Sequence, residues 1–172
     1  MNIRSAMSSA ATLLIAQSCI ALLLFAGSAR AQTSLMPPAC AELKGDALDL
    51  ASEKTILEVQ TQREQCCHVG GSIAFDKDGN LYMSVGDNTN PFDSDGYSPS
   101  DERPGRYPWD AQRSAANANS LVGKILRVKP KADGGYEIPQ GNLFPPGTPG
   151  TRPEIYVMGN RNPFRISLDA RT

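Results

Sequence analysis

Near its middle the chain reads Cys66-Cys67-His68-Val69-Gly70-Gly71-Ser72-Ile73-Ala74-Phe75-Asp76-Lys77-Asp78-Gly79-Asn80-Leu81-Tyr82-Met83-Ser84-Val85-Gly86-Asp87. Ile73 and Phe75 alternate with Ser72 and Ala74, while Leu81, Met83 and Val85 alternate with Tyr82 and Ser84. Alternation at period two predicts two strands, each with one buried face. Asp76-Lys77-Asp78-Gly79 supplies a polar turn in which Gly79 takes positive φ, so the stretch is a β-hairpin. His68, the only histidine in the chain, stands before the first arm, and Asp87 follows the second. A hairpin returns the chain on itself, so these two residues are expected at one edge of the sheet.

Upstream, the chain opens with Arg4, an apolar run broken by Gln17, Ser18 and Cys19, and then Ala29-Arg30-Ala31. A basic start, an apolar middle and small residues at a cleavage position form a secretory signal over residues 1–31, with cleavage after Ala31 and no membrane span afterwards. The expected destination is the periplasm or the outside of the cell. Residues 32–45 are expected to be a poorly ordered linker, and residues 46–172 a domain. Residues 55–59 are β-prone, with a short helix over residues 49–54 as the competing reading.

A formal net charge of −1 provides no basic footprint for nucleic acid. With 13 prolines, 15 glycines and 20% charged residues, the composition suits a loop-rich β protein. Cleavage of the signal leaves Cys40, Cys66 and Cys67, an odd number for an oxidising compartment. Adjacent cysteines close on each other only through a strained ring, so a bridge from Cys40 to Cys66 or Cys67 is the simpler expectation. Three consecutive ligands, Cys66, Cys67 and His68, spread poorly into a tetrahedron, so no zinc site is expected.

Downstream, residues 86–120 lack periodicity and are rich in Asp, Asn, Ser, Pro and Gly, the composition of a long functional or binding loop. Its acidic residues fail the spacing of a calcium loop, and it reads as solvated. Trp109, the only tryptophan, is either a platform at a sugar-binding rim or an anchor for the loop. Strand character returns over residues 121–130, with Leu126 and Val128 on one face. A turn at Ala132-Asp133-Gly134-Gly135 leads into Tyr136, and a second loop covers residues 139–153. Residues 154–158 form a further strand, and Phe164, Ile166 and Leu168 mark the alternating face of a last one.

Ser72-Ile73-Ala74-Phe75-Asp76 lies over Arg165-Ile166-Ser167-Leu168-Asp169 at a constant offset, and that offset carries His68 onto Arg161 and Val69 onto Asn162. Repeated strand, acidic turn and strand units are the signature of β-propellers. The expected fold is therefore all-β, a partial propeller of about two blades with long irregular loops. In that architecture His68 and Arg161 enter equivalent strands and face one funnel. His68 is the candidate general base, oriented by Asp87 through one ring nitrogen. Arg161 and Asn162, in Gly159-Asn160-Arg161-Asn162-Pro163-Phe164, offer a fixed charge and an amide for an anionic ligand. The structural alternatives are a capping histidine and an arginine packed on tyrosine or paired with a loop carboxylate.

The runs CCHVGGSIAFDKDGNLYMSVGDNTNPF, DERPGRYPWDAQRSAAN, GKILRV and RPEIYVMGNRNPFRISLD resemble the glucose/sorbosone dehydrogenase family. The resemblance covers residues 46–172 and implies a six-bladed β-propeller with pyrroloquinoline quinone in its central funnel. It implies that His68 takes the proton of a sugar hydroxyl as hydride passes to the quinone, that Asp87 orients His68, and that Arg161 and Asn162 contact the cofactor. A small sugar substrate and an external electron acceptor follow from the same resemblance. Cys67 stands where glucose-oxidising members carry an acid, and Asn160 where they carry histidine. The family's opening strands, the basic residues for the cofactor carboxylates and its main calcium-binding segment lie outside the matching stretch. The chain is thus expected to be a fragment, inactive alone. The competing reading is a non-catalytic propeller segment that binds carbohydrate or a protein partner.

Overall fold

The computed structural model describes residues 39–169. The expected signal of residues 1–31 and residues 32–38 of the expected linker lie outside the described residues. Ala39–Lys44 (β1) and Ala47–Thr55 (β2) pair antiparallel. The end of the expected linker is thus strand and turn, and residues 49–54 are strand, not helix. Pairing with β1 gives that segment the backbone partners that a short isolated helix lacks. The strand stops at Thr55, ahead of the expected residues 55–59, and Ile56, Leu57 and Val59 lie buried beyond it.

The main sheet is an antiparallel meander. Ile73–Phe75 (β3) pairs with Leu81–Val85 (β4), and β4 pairs with Lys124–Pro130 (β5). Tyr136–Glu137 (β6) joins one end of β5, and Ile155–Met158 (β7) joins the other. The fold is all-β, and the sheet is open and four strands wide, the width of one propeller blade. The hairpin forms as its alternation dictates: Ile73 faces Met83, Phe75 faces Leu81, and Gly79 turns the chain at φ 79°.

The alternation of β4 understates its burial. Leu81, Tyr82, Ser84 and Val85 are all buried, because the strand runs between two neighbours and is covered on both faces. On one face Leu57, Val59, Val85, Leu121, Val122, Leu126 and Ile155 form a cluster, and Ile56, Leu81 and Val128 form a second beside it. Each such aliphatic side chain contributes about 1.5–3 kcal/mol on leaving water. On the other face the Tyr82 and Tyr156 rings meet edge to face at 5.4 Å, with Arg127 over Tyr156. Residues 139–153 are loop, as expected, and Asn142 holds them by donating to the carbonyls of Arg127 and Pro153.

The last predicted strand does not form. Residues 159–169 carry no ladder, and Phe164 is 61% exposed. A strand needs a neighbour to satisfy its backbone, and no segment among the described residues pairs with this one.

Lys124, the first residue of β5, is fully buried on the face that holds Leu126. Its ammonium donates to the carbonyls of Ser114, Ala115 and Val122, each at 2.9 Å, and so ties the long loop to the sheet. Burial pushes this group down to about 8. Lys124→Met strands three carbonyls and is expected to cost about 3 kcal/mol in urea denaturation. Above about 8 the unfolded chain holds a proton that the folded chain has released, so this group alone makes stability rise with pH toward 10.5. The same denaturation series at several alkaline pH values should show that slope in the wild type and not in Lys124→Met.

Candidate functional site at the hairpin edge

The hairpin continues past its named strands. Ser84 N–H donates to Ser72 O at 2.9 Å, Gly86 N–H to Gly70 O at 3.3 Å, and Asn88 N–H to His68 O at 3.1 Å. Two glycines permit this close approach. A Cβ at Gly71 would stand 1.6 Å from Ser84 O, and one at Gly86 would stand 1.9 Å from His68 O. His68 and Asn88 both adopt left-handed backbone, at φ 51° and 56°. Such conformations persist in non-glycine residues only where the surroundings hold them.

This backbone aims His68 Nδ1 at Asp87 Oδ1, 2.9 Å away, with side-chain exposures of 8% and 1%. An ionised carboxylate only accepts, so Nδ1 carries the proton and Nε2 is left as the free base of the neutral ring. Asp87 Oδ1 also accepts from Thr89 N–H at 3.0 Å, while Asp87 Oδ2 is buried without a partner. The expected pair is therefore formed.

Arg161 comes to the same place through the backbone. Gly123 N–H donates to Gly86 O at 2.8 Å, Asn160 N–H to Gly123 O at 2.9 Å, and Asp87 N–H to Arg161 O at 2.9 Å. The exit of β4, the entrance of β5 and the exit of β7 thus share one edge, with His68, Asp87 and Arg161 gathered there. The Arg161 and Asn162 side chains are exposed, and the guanidinium meets neither a tyrosine face nor a carboxylate among the described residues. Asn160 Nδ2 is buried with no partner.

One expectation is corrected and one open choice is decided. Cys66 and Cys67 are bonded to each other, so neither bridges Cys40, whose backbone lies in β1 opposite Lys54. Neighbouring thiols meet without closing a long loop, which offsets the unfavourable ring. Trp109 is no rim platform, being 7% exposed, with its indole N–H donating to Phe92 O at 2.6 Å and Arg106 stacked 3.6 Å from its ring. It anchors the loop.

The long loop is solvated only in part: Asp93, Asp95 and Glu102 are exposed, as expected, but Asp101 is not. Asp101 is buried and accepts from Ser94 Oγ, from Arg103 and from Arg106 at 2.8–3.0 Å. The Arg103 guanidinium, with Arg106 and Ser94, holds its carboxyl well below the usual carboxylate range. No group of three His, Cys, Asp or Glu suited to a metal exists among the described residues. Beside Asp87 the loop encloses a cavity of about 410 Å³, lined by Glu58, Asn88, Tyr107, Asp110 and Arg113 among others. Neither His68 nor Arg161 reaches it.

Asn88 is the site residue that sequence reasoning missed. Besides holding His68 O, its side chain accepts from Gln62 N–H, and its carbonyl accepts from Gln62 Nε2 at 3.0 Å. The available signal was an asparagine directly after Gly-Asp at a strand end, a residue type that tolerates left-handed backbone.

The described residues define an all-β protein: an open antiparallel sheet that carries a histidine–carboxylate contact and an exposed arginine at one edge. A family described as Glucose / Sorbosone dehydrogenase matches residues 21–172, and the chain belongs to that family. HIPL2 protein from Arabidopsis thaliana is 35% identical over 113 residues, 59% of this chain and 14% of its own length. HIPL1 protein from the same plant is 33% identical over 115 residues, again 14% of that protein. Among solved structures, a glucose dehydrogenase is 27% identical, with a TM-score of 0.49, over 72% of this chain and 29% of its own. The soluble aldose sugar dehydrogenase of Escherichia coli in its apo-form is 25% identical, with a TM-score of 0.49, over 72% of this chain and 28% of its own. The chain therefore spans a minor part of each relative. No helix among the described residues is long and apolar enough to cross a membrane.

Gly86→Ala drives a Cβ into the His68 carbonyl, which backbone bonding prevents from moving. It is expected to cost about 2 kcal/mol or more in denaturant unfolding. Gly70→Ala has nothing within 4 Å of its new methyl and should stay within about 0.5 kcal/mol of wild type.

Proposed function

We propose that the chain is part of an exported, quinone-dependent sugar dehydrogenase in which His68 is the general base. The observation that carries this reading is the buried His68 Nδ1–Asp87 Oδ1 contact of 2.9 Å at the edge where the exposed Arg161 meets no carboxylate among the described residues. Family membership supports the reaction class. The basic start and apolar run of residues 1–31 support export.

The residues present fit one side of a polyanionic quinone. Arg161 offers an exposed cation with no carboxylate partner among the described residues, Asn162 an exposed amide, and the unpartnered Asn160 Nδ2 a further donor at the same edge. Pyrroloquinoline quinone, when bound, accepts the hydride from the sugar carbon. His68 Nε2 takes the hydroxyl proton as that carbon is oxidised. Asp87 keeps the ring in the Nδ1–H tautomer and stabilises the imidazolium that forms. Arg161 faces the negative charge that accumulates opposite. The same reading implies an external electron acceptor and, with the cofactor, calcium, for which the described residues offer no cluster of three ligands.

A second reading, non-catalytic carbohydrate binding, is favoured by the polar cavity beside the 54% exposed Tyr107. Titration of the chain with quinone, calcium and aldoses separates the two. The dehydrogenase reading expects quinone binding that Arg161→Ala weakens by about tenfold, with negligible dye reduction by this chain alone, since half a cradle does not hold a cofactor in register. Robust turnover would overturn the expected inactivity. Saturable sugar binding without quinone, lost in Tyr107→Ala and kept in Arg161→Ala, would instead establish the second reading.

A further inference from the structure

The Cys66–Cys67 disulfide immediately precedes His68, and Cys66 is exposed while Cys67 is half-buried. The φ torsion of His68 spans the bond between two anchors: the Cys67 carbonyl on one side and the His68 carbonyl on the other. The second is fixed by Asn88 N–H at 3.1 Å and by the close approach of Gly86. The first is carried by Cys67 Cα, a member of the eight-membered disulfide ring, whose Cys66 Sγ rests 3.8 Å from Asn90 Oδ1. With both ends held, His68 stays at φ 51° and its ring faces Asp87. Of the two anchors only the disulfide can be opened by chemistry without unfolding the hairpin.

We propose that the Cys66–Cys67 disulfide is a thiol-exchange site that acts as a positioning element for His68, so that its reduction by a dithiol releases the imidazole from Asp87. A thiolate of the reductant attacks Sγ of the exposed Cys66, the S–S bond breaks, and Cys67 departs as a thiolate that takes up a proton. The second thiol of the reductant then displaces Cys66 from the mixed disulfide. Two electrons and two protons pass to the protein, and the reductant leaves as its own disulfide. Freed on its N-terminal side, His68 relaxes toward negative φ and swings its ring off Asp87.

This inference rests on the His68–Asp87 pairing used above, and its test reads that pairing directly. In the oxidised full chain a downfield, slowly exchanging imidazole N–H proton resonance is expected by NMR, assigned by its loss in Asp87→Asn. Dithiothreitol should abolish it, with alkylation and peptide mapping showing Cys66 and Cys67 opened, and reoxidation should restore it. Cys66→Ala/Cys67→Ala should lack the resonance without reductant, and the wild-type redox cycle stands should that variant not fold. Persistence of the resonance with both thiols shown open overturns the latch and leaves the pairing intact. Its absence from the oxidised chain overturns the pairing, and both proposals with it.

Discussion

A side chain cannot stand at Gly86, because the carbonyl oxygen of His68 occupies the space a Cβ would need. That single close approach lets the hairpin keep its register beyond β3, delivers the His68 carbonyl to Asn88, and brings the His68 ring within reach of Asp87. The same glycine uses its carbonyl to accept from Gly123, which in turn accepts from Asn160. One residue without a side chain thus gathers the ends of three strands. The histidine, the carboxylate and the arginine are neighbours because those strand ends are.

The surroundings hold this edge rigid in two ways. Beneath it, Val85, Leu126 and Ile155 pack with Leu57 and Val59 from the segment that precedes the cysteine pair. Behind it, the long loop is tied down by ionic knots, not by strands: Lys124 on three carbonyls, and Asp101 between Arg103 and Arg106. Buried charges contribute most where every hydrogen-bonding position is used, and both groups come close to that. Polar atoms left without partners, on Asp87, Asn88, Thr89 and Asn160, concentrate instead where the strand ends meet. Among the described residues, buried side-chain atoms without partners are confined to this edge, and such atoms in native folds are ordinarily met by water or a ligand.

Much of this was legible in the chain. Period-two alternation at Ile73, Phe75, Leu81, Met83 and Val85 specified the hairpin, and the hairpin specified that His68 meets Asp87. The offset that laid His68 over Arg161 anticipated a shared edge, although the strand it also implied at Phe164, Ile166 and Leu168 finds no ladder partner among the described residues. Trp109 could be read two ways, since an aromatic residue in a polar loop has the same local pattern as an anchor and as a platform. Buried against Arg106, it is the anchor. The acidic loop read as solvated because its charges alternate without period. The arginines that neutralise Asp101 come from the same loop, but only folding brings them onto one carboxylate.

Local spacing by itself determined the all-β class, the turn at Gly79 and the meeting of His68 and Asp87 at one sheet edge, because a hairpin is short-range and its register follows from side-chain alternation. Tertiary structure alone decided the rest. It seated Cys40 opposite Lys54 in β1, buried Lys124 under three carbonyls, and set the Trp109 indole on the carbonyl of Phe92. Those outcomes depend on where distant backbones meet, and no local pattern of residues encodes that distance.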